Sequence, residues 1–82
     1  MQVNFSRHAL KRMSERGVTY REVCNALQYP DRHSIKHEAC LAARQRKDGY
    51  WLIVIYAGSD TIKKVITVII ISKIHKFFPY EN

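Results

Sequence analysis

The segment from Phe5 to Gly17 carries the residues of this chain whose types and spacing could do chemistry. Ser6 is a residue type that caps the start of a helix, and Gly17 is one that ends a helix, so the segment predicts a helix between them. At 3.6 residues per turn, one face of that helix is apolar and the opposite face is titratable. The apolar face holds Ala9, Leu10 and Met13, and the titratable face holds His8, Arg12, Glu15 and Arg16.

An imidazole, two guanidinium groups and a carboxylate on one helix face are the parts of a site that handles phosphate. A guanidinium group donates two parallel hydrogen bonds to a phosphate, and an imidazole exchanges protons near neutral pH. Charged residues on a helix are also the ordinary composition of its solvated side. The pattern by itself therefore leaves a phosphate site and a plain solvated face both open.

The motif His-Ala-x-x-Arg-Met-x-Glu-Arg-Gly-Val-Thr, which starts at His8, resembles the opening of a small bacterial domain family. That family lies near the BrnT-like branch of the RelE/ParE-like toxin superfamily. Its members carry the motif on a first helix, followed by a second short helix and an antiparallel sheet whose last strand reads like residues 65–68, Val-Ile-Thr-Val. The resemblance implies one RelE-like toxin-type domain over residues 1–82. The expected fold is α+β, with two N-terminal helices packed on a three- to four-stranded antiparallel sheet.

The resemblance also implies an activity, which is metal-independent cleavage of RNA by the toxin of a toxin–antitoxin pair. In such a ribonuclease the 2′-hydroxyl of RNA is the nucleophile, so the enzyme supplies a base, an acid and cations for the crowded phosphorane. His8 is then the candidate base or acid, and Arg12 and Arg16 are the candidate phosphate clamps. Glu15 either orients His8 or Arg12 or forms a plain ion pair with Arg12. The expected partners are RNA, free or on the ribosome, and an acidic antitoxin, and no cofactor is expected.

The charge balance favours a polyanionic partner. The chain has 14 Lys and Arg against 7 Asp and Glu, a net charge of +7, which suits nucleic acid, an acidic protein or anionic lipid. The basic residues expected to extend a nucleic-acid surface are Arg44, Arg46, Lys63, Lys64, His75 and Lys76. Four residues are further candidates to complete a site with the helix, namely Thr67, His75, Lys76 and Tyr80. Arg44, Arg46, Lys63 and Lys64 are expected at strand ends, where a basic residue taken singly more often serves solubility or protection of a strand edge.

The remaining composition predicts a cytoplasmic protein that is not associated with membranes. The chain shows no secretory signal, and its longest apolar run, residues 65–71, is far shorter than the ~18 residues that a membrane span needs. Cys24 and Cys40 form no CxxC motif and are expected to be reduced. His33, His37 and Cys40 would share one face only if their segment were helical, and three such residues without a fourth ligand predict no metal site.

The spacing of Thr19 and Glu22 is that of a capping box, which predicts a second helix from about Tyr20 until Pro30 stops it. Residues 33–46 have a helix-forming composition, and only the resemblance predicts a strand there. From residue 47 the pattern indicates strands. Asp48-Gly49 predicts a hairpin turn, residues 50–56 and 62–71 are rich in β-branched residues, and a second turn lies between them.

Two other functions stay open. A helix, a turn containing glycine and a second helix also outline a DNA-binding helix-turn-helix, in which Arg21, Asn25 and Gln28 would read bases. Against this alternative, strands rather than a third helix are expected to follow. The other alternative is an inactive domain that only binds a protein partner.

The C-terminal tail contains three aromatic residues within four positions, Phe77, Phe78 and Tyr80. Either they fold back onto the open face of the sheet as core, or they form a self-association surface that would produce a homodimer.

Overall fold

Two helices lie on one side of a five-stranded sheet in the computed structural model, which describes residues 1–36 and 38–79. The chain begins with a strand, β1 (Gln2–Phe5), and continues into the helices α1 (Arg7–Arg16) and α2 (Tyr20–Gln28). The strands β2 (Arg32–Lys36), β3 (Ala39–Gln45), β4 (Trp51–Gly58) and β5 (Ile62–Ile71) follow, and a short 3₁₀ helix (Ile74–Lys76) comes last. The predicted α+β class is confirmed.

The sheet has the strand order β1-β5-β4-β3-β2. Strands β2 to β5 pair antiparallel in sequence order, whereas β1 pairs parallel with β5, Phe5 lying opposite Val65. The prediction of a three- to four-stranded antiparallel sheet is therefore wrong in strand number and in type, because the sheet has five strands and is mixed. A four-residue strand such as β1 is too short to leave a clear alternation in the sequence.

The region expected to be one strand, residues 33–46, forms two. Strands β2 and β3 pair antiparallel, with Lys36 opposite Ala39. The Gly49 turn follows the prediction. Gly49 has a positive φ of 91°, and the backbone N–H of Tyr50 donates to the Oδ1 of Asp48 at 2.9 Å.

Helix α1 has the predicted ends. The Oγ of Ser6 accepts a hydrogen bond from the backbone N–H of Ala9 at 2.9 Å, and Gly17 takes the left-handed conformation with a φ of 65°. Ala9 and Met13 are buried, but Leu10 is 53 % exposed, so its predicted place on the buried face is wrong. The buried stripe is narrow, because positions four apart lie on one line while Leu10 is rotated about 100° from Ala9.

Each face of the sheet has its own core. On the helix side, α1 packs on β5 and α2 packs on β3 and β4, around fully buried residues such as Val23, Leu52 and Val54. On the outer side, Phe78 is only 8 % exposed and packs with Leu41, Ala43 and Ile53. The tail thus folds back as core, as one of the two alternatives proposed. Tyr80 lies outside the described residues, and a homodimer through the tail stays a prediction.

Candidate functional site: the outward face of α1 and a basic cleft

The titratable face of α1 flanks the buried stripe of the helix formed by Ala9 and Met13. His8, Glu15 and Arg16 are exposed and Arg12 is half-buried. The Nη1 of Arg12 lies 2.8 Å from the Oε1 of Glu15, so the two side chains form an ion pair between positions three apart on the helix. His8 makes no hydrogen bond within the described part of the chain, so its imidazole is open to solvent.

A cleft of about 650 Å³ lies between α2 and the hairpin that joins β3 to β4. This volume falls within the range of pockets that hold small ligands. Four cationic side chains and two carboxylates are among its lining residues, which are Thr19, Arg21, Glu22, Asn25, Arg44, Gln45, Arg46, Lys47, Asp48 and Leu52. We call this feature the basic cleft.

Arg46 is fixed in the wall of the basic cleft. Its Nε lies 2.6 Å from the Oε2 of Glu22, and its Nη2 donates to the backbone carbonyl of Gly17 at 3.3 Å. Arg44 is fixed as well, since its Nη1 donates to the carbonyl of Tyr29 at 2.7 Å. The structure therefore brings together two of the residues predicted to bind nucleic acid, in a concave site that the sequence did not indicate.

Arg21 and Lys47 are the other two cations of the cleft. Both side chains are exposed, and neither makes a hydrogen bond or an ion pair with another described residue. Their charges are thus available to a ligand, whereas Arg44 and Arg46 hold fixed positions.

The basic cleft lies at the C-terminal end of α1, since Arg46 contacts the carbonyl of Gly17, the cap of that helix. Arg16 is adjacent to this end, and His8 lies two turns away, about 12 Å along the helix axis. None of the four titratable residues of α1 lines the cleft.

The other predicted basic residues lie elsewhere. Lys63 pairs with Gly58 at one end of β4, whereas the cleft lies near Trp51 at the other end, about 20 Å away. The Nζ of Lys63 donates to the carbonyl of Ser59 at 3.1 Å, and Lys64 is exposed beside it.

His75 and Lys76 are exposed in the 3₁₀ helix, whereas Ile74 of the same helix and the following Phe77 pack on the outer side of the sheet. This places them across the sheet from α1. Thr67 pairs with Ile55, which packs in the same outer core. These residues are therefore not brought together with the titratable face of α1, and Tyr80 lies outside the described residues.

One polar cluster was not found from the sequence. On the helix side of the sheet, the Nε2 of His33 lies 2.8 Å from the phenol oxygen of Tyr56. Burial raises the pKa of Tyr56 above its usual value, and the neighbouring Cys40 raises it further. The ammonium group of Lys63 lies 5.0 Å from the centre of the Tyr56 ring. Four different strands supply these residues, so no spacing in the sequence could indicate the cluster.

His33, His37 and Cys40 were considered above as metal ligands because of their spacing. Of these three residues, His37 lies outside the described part of the chain. Among the residues described, no group of three or more His, Cys, Asp or Glu side chains could hold a metal ion. His33 and Cys40 lie on two strands, β2 and β3.

The residues proposed as DNA readers, Arg21, Asn25 and Gln28, are exposed on α2. Strand β2, rather than a third helix, follows α2, and α2 packs on the sheet. Neither α1 nor α2, nor any other helix in the described ranges, has the length and apolar character that crossing a membrane requires.

Comparison with known proteins gives a family. Residues 5–70 match the model of a family described as a domain of unknown function, DUF4258. The match spans both helices and most of the sheet, so the chain belongs to this family. Searches of the curated proteins and of the solved structures returned no match.

Proposed function

We propose that this member of the DUF4258 family is a metal-independent endoribonuclease and acts in the cytoplasm as the toxin of a toxin–antitoxin pair. The observation that carries the proposal is the titratable face of α1, where His8 and Arg16 are exposed and Arg12 is half-buried beside them. The basic cleft at the end of this helix supports it, because cations at a concave surface favour a polyanion.

In the proposed reaction, His8 takes the proton from the 2′-hydroxyl of RNA, and the 2′-oxygen attacks the adjacent phosphorus. The bond from phosphorus to the 5′-oxygen then breaks, and that oxygen takes a proton from water. The products are a 2′,3′-cyclic phosphate and a 5′-hydroxyl, and His8 returns its proton to solvent. Arg12 and Arg16 stabilise the negative charge of the phosphorane, and Glu15 holds Arg12 in place through the 2.8 Å ion pair.

The proposed partner is an acidic antitoxin, which the net charge of +7 would attract. Binding of such a partner over the face of α1 would cover His8 and Arg12 and so prevent access of RNA.

The test is cleavage of RNA, with and without ribosomes, by the purified protein in excess chelator, with DNA of the same sequence as the control. We expect RNA alone to be cut, since only RNA carries the nucleophile. His8→Ala should lower the rate by roughly 10² to 10⁴, the usual loss for a proton-transfer group. Arg12→Lys should also be impaired, because an ammonium group cannot make the bidentate contact. Leu10→Ala, an exposed change on the same helix, is the matched control and should retain the wild-type rate.

Full activity in both His8→Ala and Arg12→Lys would show that the face of α1 is only a solvated surface. A wild-type protein that cuts no RNA, yet shifts duplex DNA in a gel, would instead favour the DNA-binding alternative. Growth arrest on expression of the wild type, without arrest by His8→Ala, checks the toxin assignment in cells.

A further inference from the structure

We propose that the basic cleft binds the phosphodiester backbone of a single RNA strand next to the nucleotides that α1 cleaves. This inference rests on the proposed ribonuclease function and names the site that holds the substrate. Arg21 and Lys47 would supply exposed cations that have no partner among the described residues, and Arg44 and Arg46 would supply cations held by hydrogen bonds.

The fixed cations give the cleft a defined geometry. Arg46 is held by Glu22 and by the carbonyl of Gly17, and Arg44 is held by the carbonyl of Tyr29. Backbone carbonyls satisfy guanidinium donors without cancelling the positive charge, so Arg44 keeps its full charge toward a ligand. Positions fixed before binding reduce the entropy that a ligand must overcome.

One of the two carboxylates of the cleft forms an ion pair with a cation, and the other accepts only a backbone hydrogen bond. Glu22 pairs with Arg46 at 2.6 Å, and the Oδ1 of Asp48 accepts the backbone N–H of Tyr50 at 2.9 Å. Arg21 and Lys47 are exposed and free of hydrogen bonds and ion pairs to other described residues. The ion pair with Arg46 offsets the charge of Glu22, whereas Asp48 keeps its negative charge. Because the cleft has four cations and two carboxylates, it still carries a positive excess, which suits phosphate groups.

The position of the cleft connects it to the proposed chemistry. It adjoins the end of α1 at Gly17, and the line from His8 through Arg12 to Arg16 leads toward that end. A strand cleaved beside His8 could continue along α1 and place its neighbouring phosphates in the cleft. Asn25, exposed on the wall of the cleft, offers an amide to a base of that strand.

The test uses the full chain and two short oligonucleotides of one sequence, RNA for cleavage and its 2′-deoxy form for binding without cleavage. Lys47→Gln and Arg21→Gln each remove one charge, and Lys73→Gln removes one exposed charge outside the cleft as the matched control. Neither Lys47 nor Arg21 is held by described neighbours, so both variants should fold, and circular dichroism verifies it.

We expect each cleft variant to raise KM severalfold while kcat stays constant. The slope of log Kd against log salt for the deoxy strand should become shallower by about 0.7 per charge removed, the value for one phosphate contact on a single strand. Lys73→Gln should leave both quantities at the wild-type values.

Wild-type KM and salt slope in both cleft variants would overturn the proposal while leaving the ribonuclease function intact. The same would follow from tighter binding of duplex DNA than of the single strand. A wild-type protein that cuts no RNA, but whose binding of the deoxy strand weakens in the cleft variants, would support the cleft as a backbone site and refute the ribonuclease function.

Discussion

At the scale of single residues, Glu22 does two things that its sequence position predicts only in part. Its backbone N–H donates to the Oγ1 of Thr19 at 3.1 Å, which is the first half of the predicted capping box. Its carboxylate forms an ion pair with Arg46 in the wall of the cleft, which is a contact beyond the end of its own helix. The spacing of Thr19 and Glu22 predicted the cap, but a contact between residues 24 positions apart requires the fold.

Thr19→Ala should lower the free energy of unfolding by about 1 kcal/mol, because the N–H of Glu22 loses its acceptor. Thr19→Ser retains the hydroxyl oxygen and should be nearly neutral. Urea denaturation of the two variants and the wild type measures both effects. Identical midpoints for the Ala and Ser variants would contradict the assignment of Thr19 as the cap.

The pKa of the Tyr56 phenol is raised chiefly by burial, so the folded state holds the proton more tightly than the unfolded chain does. The corresponding stability is complete below the unfolded pKa, about 10, and is lost as pH rises through the higher folded pKa. Tyr56→Phe cannot ionise. The wild type should therefore be the more stable protein at neutral pH, by about 1 kcal/mol for the hydrogen bond with His33, and lose this advantage above pH ~10.

Urea denaturation of wild type and Tyr56→Phe from neutral to alkaline pH tests this expectation. His33→Ala serves as the control, since it removes the hydrogen-bond partner but keeps the ionisable phenol. A stability difference between wild type and Tyr56→Phe that stays constant through the alkaline range would be the contrary result.

At the scale of elements, the positions of the helix caps and turns were the features that the sequence predicted best. Ser6, Gly17 and Thr19 bound the helices as expected, because each makes a local contact within a few residues. Strands β1 and β2 were missed or merged, since both are short edge strands whose pairing depends on distant partners. Local chemistry is readable in a sequence, whereas pairing between residues far apart is not.

The tail is the element that completes the outer core. Deleting residues 77–82 removes Phe78 from its contact with Leu41, Ala43 and Ile53 and leaves an apolar sheet face open. We expect the shortened chain to aggregate, which sedimentation and solubility measure. Deletion of residues 80–82 alone retains Phe78 and is the matched control. A monodisperse protein of unchanged unfolding midpoint after the longer deletion would refute this role of the tail.

At the scale of the whole molecule, the charge of +7 predicted a polyanionic partner without a location. The fold separates the cations into distinct surfaces. Arg44 and Arg46 join Arg21 in the basic cleft, Lys63 and Lys64 lie at the opposite end of the sheet, and the 3₁₀ helix carries others on the outer side. The titratable face of α1 was predictable because it lies within one helix. The cleft was not, because α2 and the β3–β4 hairpin form it together.

Strands β1 and β5 lie farthest apart along the sequence, yet they pair in parallel, with Gln2 opposite Ile62. The helix that follows β1 depends on the same late strand, since the Oγ of Ser6 donates to the carbonyl of Ile66 at 2.8 Å. Such distant contacts can form only when a long loop closes, and the entropy cost of closing that loop slows folding. During synthesis, β1 and α1 leave the ribosome before β5, and they can dock only after β5 has been made. The helix proposed to attack RNA would thus reach its working position only when nearly the whole domain has been made.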